Sequence, residues 1–151
     1  MYIIINILSF LTAFIFMECF AWFMHKYIMH GVGWFLHKSH HEPRKGRFEL
    51  NDLYAFIFAI PAIILMYIGS PEYNWIFWLG TGITAYGFCY FVFHDVIVHR
   101  RIRHNYRPFS KYMLRITRAH KIHHKTLSKR NATAFGFLFA HPKYDVKKTD
   151  E

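Results

Sequence analysis

The stretch HKSHHEP, His37 to Pro43, sets three histidines within five positions, and HKIHHKT repeats the His-x2-His-His spacing at His120, His123 and His124. Two further pairs, His25 with His30 in HKYIMH and His94 with His99 in HDVIVH, are each five apart. Histidine is a poor helix former, so repeated spacings of it ask for a chemical reason. Neutral imidazole is the commonest metal ligand and suits iron, zinc, copper and nickel. Ten histidines are too many for one ion and match about five nitrogens for each of two. The two cysteines, Cys19 and Cys89, lie in apolar runs and form no C-x-x-C pair, which argues against thiolate zinc, iron–sulfur and disulfide frameworks. The Glu-x-x-His pairs of soluble di-iron carboxylate bundles are missing too. A haem alternative needs only about two to four axial histidines and would leave most of the set unused. What remains is an all-imidazole, dinuclear site.

These side chains need elements to position them. On an α-helix, positions i, i+3 and i+4 share a face, so each His-x2-His-His triplet is expected to project together. A pair five apart is turned by about 140° on an α-helix, so His25/His30 and His94/His99 are expected to straddle their helices. Gly31, directly after His30, is a candidate helix terminator. Three apolar runs supply the scaffold: Met1–Met24, Leu53–Gly69 and Trp75–Phe93, of 24, 17 and 19 residues. A bilayer core takes about 20 apolar residues, roughly 17 to 25. All three are therefore read as membrane spans, about 3–24, 53–69 and 75–93, in one membrane-integral domain of residues 1–151. The first run has no basic leading segment and no Ala-x-Ala site, so it reads as a retained span. The expected fold is an all-α integral membrane helical bundle with a histidine-rich dimetal site. One or two further helices are expected near Ser110 to Lys125, within a cytosolic or interfacial part, 94–151. The segment ATAFGFLFA, 132–140, is too short to span as a helix.

The net charge of +10 fits a nucleic acid, a membrane surface or an acidic partner, and the three apolar runs exclude the first reading. Five Lys and Arg lie between Lys26 and Arg47 and the other 14 between Arg100 and Lys148, with none before the first run or in Ser70 to Asn74. Cytoplasmic loops carry the excess of Lys and Arg. This puts the N-terminus outside and all ten patterned histidines on the cytosolic face; His104 and His141 fall outside the pattern. A metal transporter would place ionisable groups deep in the spans, which hold only Glu18. An ionisable group there is costly and often functional. Glu18 lies seven residues before His25, nearly on its helix face, with a role near the metals, or snorkelling or hydrogen bonding elsewhere. Asp95 is the candidate catalytic residue outside the histidines. It can accept the other N–H of a ligating His94, or pair with Arg100 or Arg101. Asn131 could complete the site or cap a loop, and Pro61 is expected to kink the second span.

HKYIMH, HKSHH, HDVIVH and HKIHH resemble the four histidine boxes of membrane-integral non-haem di-iron oxygenases, the fatty acid hydroxylase superfamily. The linking residues HDVIVHRR and FGFLFA, and the short chain, resemble its bacterial β-carotene 3-hydroxylase branch over about residues 18–142. The resemblance implies two iron ions held by His25, His30, His37, His40, His41, His94, His99, His120, His123 and His124. It implies O2-dependent hydroxylation of β-carotene at ring C3, giving β-cryptoxanthin and zeaxanthin. Electrons would come from NAD(P)H through a ferredoxin or similar carrier, at a bacterial inner membrane. A fatty acyl or sterol lipid hydroxylase or desaturase is the alternative with the same boxes. The chemistry is coherent with the residues. A ring methylene is an unactivated C–H that no ordinary acid or base deprotonates, so a metal centre must supply the oxidant. The substrate would be dissolved among membrane lipids. The basic C-terminal half offers a face for an acidic carrier or for lipid headgroups.

Overall fold

The computed structural model describes residues 2–43, 46 and 48–146. Helix α1 (Tyr2–Phe23) has no polar face and passes directly into a π-helical stretch, Met24–Val32. Helix α2 (Trp34–His41) follows after Gly33. A 3-10 turn, Leu50–Leu53, leads into α3 (Tyr54–Gly69), which stays helical across Pro61. Asn74 caps α4 (Trp75–Tyr90), its side chain accepting the Ile76 N–H at 3.0 Å, and α4 passes into a second π-helical stretch, Phe91–Val98. Ser110 caps α5 (Lys111–His123) by accepting the Met113 N–H at 3.2 Å. Among the described residues there is no strand.

Among the described residues three helical stretches, Tyr2–Val32, Leu50–Gly69 and Trp75–Val98, are long and apolar enough to cross a membrane. Their outer faces carry Ile15 at 65% and Ile63 at 63% exposure. A surface of such side chains belongs in lipid rather than water. The first and third helices run past residues 24 and 93, and those extensions carry His25, His30 and His94.

Helix α4 packs between α1 and α3. Gly80 and Gly82, two positions apart and so on opposite sides of α4, make both contacts close. A Cβ at Gly80 would lie 2.7 Å from the Ala62 carbonyl of α3, and one at Gly82 would lie 2.9 Å from Ala13 Cβ and collide with the Phe10 carbonyl of α1. Small residues let helices approach where lipid offers no hydrophobic drive.

Beyond the spans, Met113, Ile116 and Ala119 of α5 form a small core with Ala140 and Tyr144, against Phe93 and Ile97. Arg115 clamps Asp145, with Nη2 to Oδ2 at 3.0 Å. These contacts lay α5 and the chain after it across the histidine-bearing ends of the spans. The 132–140 segment is not helical, so its amide groups need other partners. Glu18 of α1 supplies them. Its carboxylate accepts the Phe137, Leu138 and Phe139 N–H groups at 2.8, 3.0 and 3.0 Å and the Tyr86 hydroxyl at 2.7 Å. Amide groups outside a helix and shielded from water require such acceptors. Of the roles open to Glu18, the structure therefore shows hydrogen bonding, to this 132–140 lid. Asn131 is exposed with φ of 69°, the left-handed region that asparagine tolerates, so it turns the chain.

Candidate metal centre

The five-residue pairs do not straddle their helices. His99 N–H donates to the His94 carbonyl and Gly33 N–H to the Ile28 carbonyl, both at 2.8 Å and both five residues back. A π-helix repeats close to that spacing, so it brings onto one side two rings that an α-helix would turn apart. Ring centroids are 5.3 Å apart for His25/His30 and 4.4 Å for His94/His99. The first π-helical stretch kinks at Gly31, where the sequence expects a terminator.

The triplets do not point as units either. The ten histidines form two groups of five, His25, His30, His37, His41, His123 and His40, His94, His99, His120, His124, each with its ligand nitrogens within 4.8 Å of one another. Each triplet serves both groups. The outer members of one triplet, His37 and His41, join the first group while His40 joins the second. In the other triplet His120 and His124 join the second and His123 the first. On an α-helix i and i+4 are about 40° apart while i+3 and i+4 are about 100° apart, enough to aim at neighbouring centres. Each group thus takes one π-helical pair, one i,i+4 pair and the middle histidine of the other half.

The outer ring nitrogens fix the tautomers. Nδ1–H of His25, His30, His41 and His123 donates to the carbonyls of Phe135, Lys129, Thr126 and Thr133, at 3.0, 3.2, 2.9 and 2.7 Å. His37 donates to Asn51 Oδ1 at 2.6 Å, His40 to Glu49 Oε2 at 3.0 Å and His94 to Asp95 Oδ1 at 3.0 Å. A neutral ring that donates at Nδ1 presents a bare lone pair at Nε2. Those lone pairs face one another: His30 to His123 at 3.1 Å, His37 to His41 at 3.2 Å and His40 to His94 at 3.0 Å. Nε2 of His25 and of His124 is buried with no hydrogen-bond partner. Converging lone pairs repel unless a cation lies among them, so this donor set fits metal ions.

Electrostatics keep these histidines neutral. Burial is the main cause that lowers His37 and His123 to about 3, His41 to about 4 and His124 to about 2. Burial, then repulsion between neighbouring rings, holds His40 and His120 well below the ordinary histidine value. Neutral imidazole is the form that binds metal, so the protonation state of these rings is compatible with a metal site at neutral pH.

Asp95 serves both of its expected partners, accepting from His94 and lying 3.5 Å from Arg101 Nε. Arg101 also ion-pairs with Glu49 at 3.3 Å and Asp52 at 2.7 Å. Glu49, Asn51 and Arg101 are functional neighbours that the histidine spacing does not reveal. The ELND stretch after the second box is the signal for Glu49 and Asn51, since Glu49 and Asp52 cap the turn into α3 reciprocally, and Arg101 is marked in the sequence only as a possible partner of Asp95. The carbonyl acceptors leave no trace in the sequence.

A cavity of about 580 Å³ opens beside the histidines, with His25, His37, His94 and His120 at one end. From there it runs between α3 and α4, past Phe58, Ala59 and Gly87 to Ile83, and its walls are mostly apolar. Phe135 and Phe137 of the lid line the histidine end, and Phe137 stacks on Tyr90 at 4.4 Å.

The fatty acid hydroxylase family model matches residues 10–143. The chain is 49% identical over 133 residues to the beta-carotene hydroxylase of Pantoea ananas, covering 88% of this chain and 76% of that one. It is 42% identical over 144 residues to the beta-carotene hydroxylase of Pseudescherichia vulneris, covering 95% and 82%. A chloroplastic beta-carotene 3-hydroxylase of Haematococcus lacustris is 46% identical over 114 residues, 72% of this chain and 35% of that one. No solved structure matches the chain.

Proposed function

The chain belongs to the fatty acid hydroxylase family, and from that premise we propose that it hydroxylates β-carotene at ring C3, giving β-cryptoxanthin and then zeaxanthin. The ten histidines would hold two non-haem irons, five to each. The observation that carries this reading is the pairing of two five-histidine groups with the end of a long apolar cavity. Bacterial and plant relatives named beta-carotene hydroxylases support the substrate. When bound, the iron pair supplies the O2-derived oxidant that an unactivated C–H bond requires.

The chain's own residues orient the substrate and keep water out. The cavity follows α4 from His94 to Ile83, roughly 16 Å at 1.5 Å per residue. It takes a ring and the first part of a polyene, leaving the remainder in lipid. Phe135 and Phe137 close the histidine end, and Glu18 and Tyr86 hold the lid in place. Asp95 acts through His94, fixing the ring with Nε2 inward, and so is a positioning residue.

The Lys and Arg distribution supports an outside N-terminus and a cytosolic histidine face, in a bacterial inner membrane. It also supports docking of an acidic carrier of the ferredoxin type, fed by NAD(P)H. The test is pigment analysis of β-carotene-accumulating bacteria expressing the chain or a His40→Ala control. Mono- and dihydroxylated products, absent from the control, are expected. Unchanged β-carotene, with the protein in the membrane and a working reductase present, sinks the carotenoid reading and moves the search to acyl and sterol lipids.

A further inference from the structure

The two histidine groups differ in what their outer nitrogens meet. In the first group every Nδ1–H reaches a neutral acceptor: four main-chain carbonyls and the Asn51 amide oxygen. In the second, His40 donates to the Glu49 carboxylate and His94 to the Asp95 carboxylate. Arg101 spans both of these and Asp52, so three carboxylates share one guanidinium and the acceptor set stays net negative. The Arg101 charge opposes a nearby cation, but it is spent on the carboxylates it bridges.

An imidazole that donates to a carboxylate becomes a more basic ligand at its other nitrogen than one that donates to an amide oxygen. From this asymmetry the geometry points to two unequal metal sites. The second group holds its divalent ion more tightly, and Glu49 and Asp95 are the positioning residues that set the difference, with Arg101 fixing both. The inference rests on the reading of the ten histidines as ligands of two ions, and it ranks those ions. Removing an outer partner of a ligating histidine typically costs 10–100-fold in affinity, so a gap of at least about tenfold is expected between the two sites.

The experiment loads purified full-length protein in detergent anaerobically with Fe2+ or with Co2+. The ions are then withdrawn with a graded series of chelators, and metal per chain is counted. Two ions leaving in two steps, at least tenfold apart, are expected. Glu49→Gln and Asp95→Asn should each draw the tighter step towards the weaker by about tenfold and leave the weaker in place. Asn51→Asp, which offers His37 a carboxylate, should tighten the weaker step. Two ions leaving together from a preparation that still hydroxylates β-carotene would overturn the inference alone, as would Glu49→Gln and Asp95→Asn loosening both steps equally. Fewer than two ions per chain, with no hydroxylated product, would overturn the ligand reading and the inference with it.

Discussion

Replacing Glu18 by alanine should open the lid while leaving the spans in place. The carboxylate accepts three consecutive amide N–H groups and the Tyr86 hydroxyl. An N–H left without an acceptor costs about 1–3 kcal/mol where water cannot replace it. Phe139 is 68% exposed, so its amide recovers a partner from solvent, and two amides count in full. The closed lid then loses about 3 kcal/mol, which is roughly a 100-fold rise in the open fraction at about 1.4 kcal/mol per decade. An open lid also withdraws the Phe135 and Thr133 carbonyls from His25 and His123. The assay is limited proteolysis of solubilised protein within 125–139, run beside pigment analysis. Cleavage should accelerate about 100-fold and hydroxylated product should fall at least tenfold, with Glu18→Gln in between because its amide oxygen still accepts. Cleavage and product both within twofold of the parent would refute the argument, and the lid would then be held by α5 packing alone.

Other outcomes follow from the same contacts. A Cβ at Gly87 meets nothing within 4 Å and projects beside the cavity. Gly87→Ala should raise the unfolding midpoint, since Gly costs a helix roughly 1 kcal/mol relative to Ala. Gly87→Leu should insert normally yet lose most turnover of β-carotene, read as product per unit of membrane protein. Gly82→Leu should abolish folded protein by forcing α1 from α4, seen as loss of the monodisperse peak in detergent. The buried histidines also set an acid limit. At pH above about 6.5 they are neutral folded or unfolded, so their contribution is complete. Below that, the unfolded chain takes up protons that His41, held at about 4, and His37 and His123, held at about 3, refuse. Stability of metal-free protein should therefore fall as pH drops from 6.5 towards 3 and stay level from 7 to 8.5. An unfolding midpoint that rises on acidification would contradict this sign.

The membrane scaffold was legible because apolar runs near the bilayer length have few other uses. The ten histidines stood out because their spacing repeats. Their aim did not, for a local reason. Spacings of five straddle only an α-helix, and the backbone at His25–His30 and His94–His99 is π-helical, with its hydrogen bonds reaching five residues back. The triplets hid a second ambiguity, since an arc of about 100° can serve one centre or two. His40 crosses to the second group because its ring lies against those of His94, His99 and His124, which no local spacing gives. Glu18 was visible as costly, but its lid partners lie about 120 residues away in the chain, and a non-helical lid has no periodic signal. Arg101 illustrates the same limit. The sequence offers it to Asp95 nearby, but Glu49 and Asp52, which it also pairs with, lie about 50 residues away in the chain.

The central claim is that a histidine-held metal pair delivers oxygen from O2 into a lipid-dissolved ring. It is tested most directly by supplying 18O2 to membranes containing the protein, β-carotene and a reducing system, and weighing the product. The account predicts one 18O in each new hydroxyl, none from labelled water, and no product when His40 or His123 is replaced by alanine. Hydroxyl oxygen drawn from water, or labelled product from either alanine variant, would contradict it.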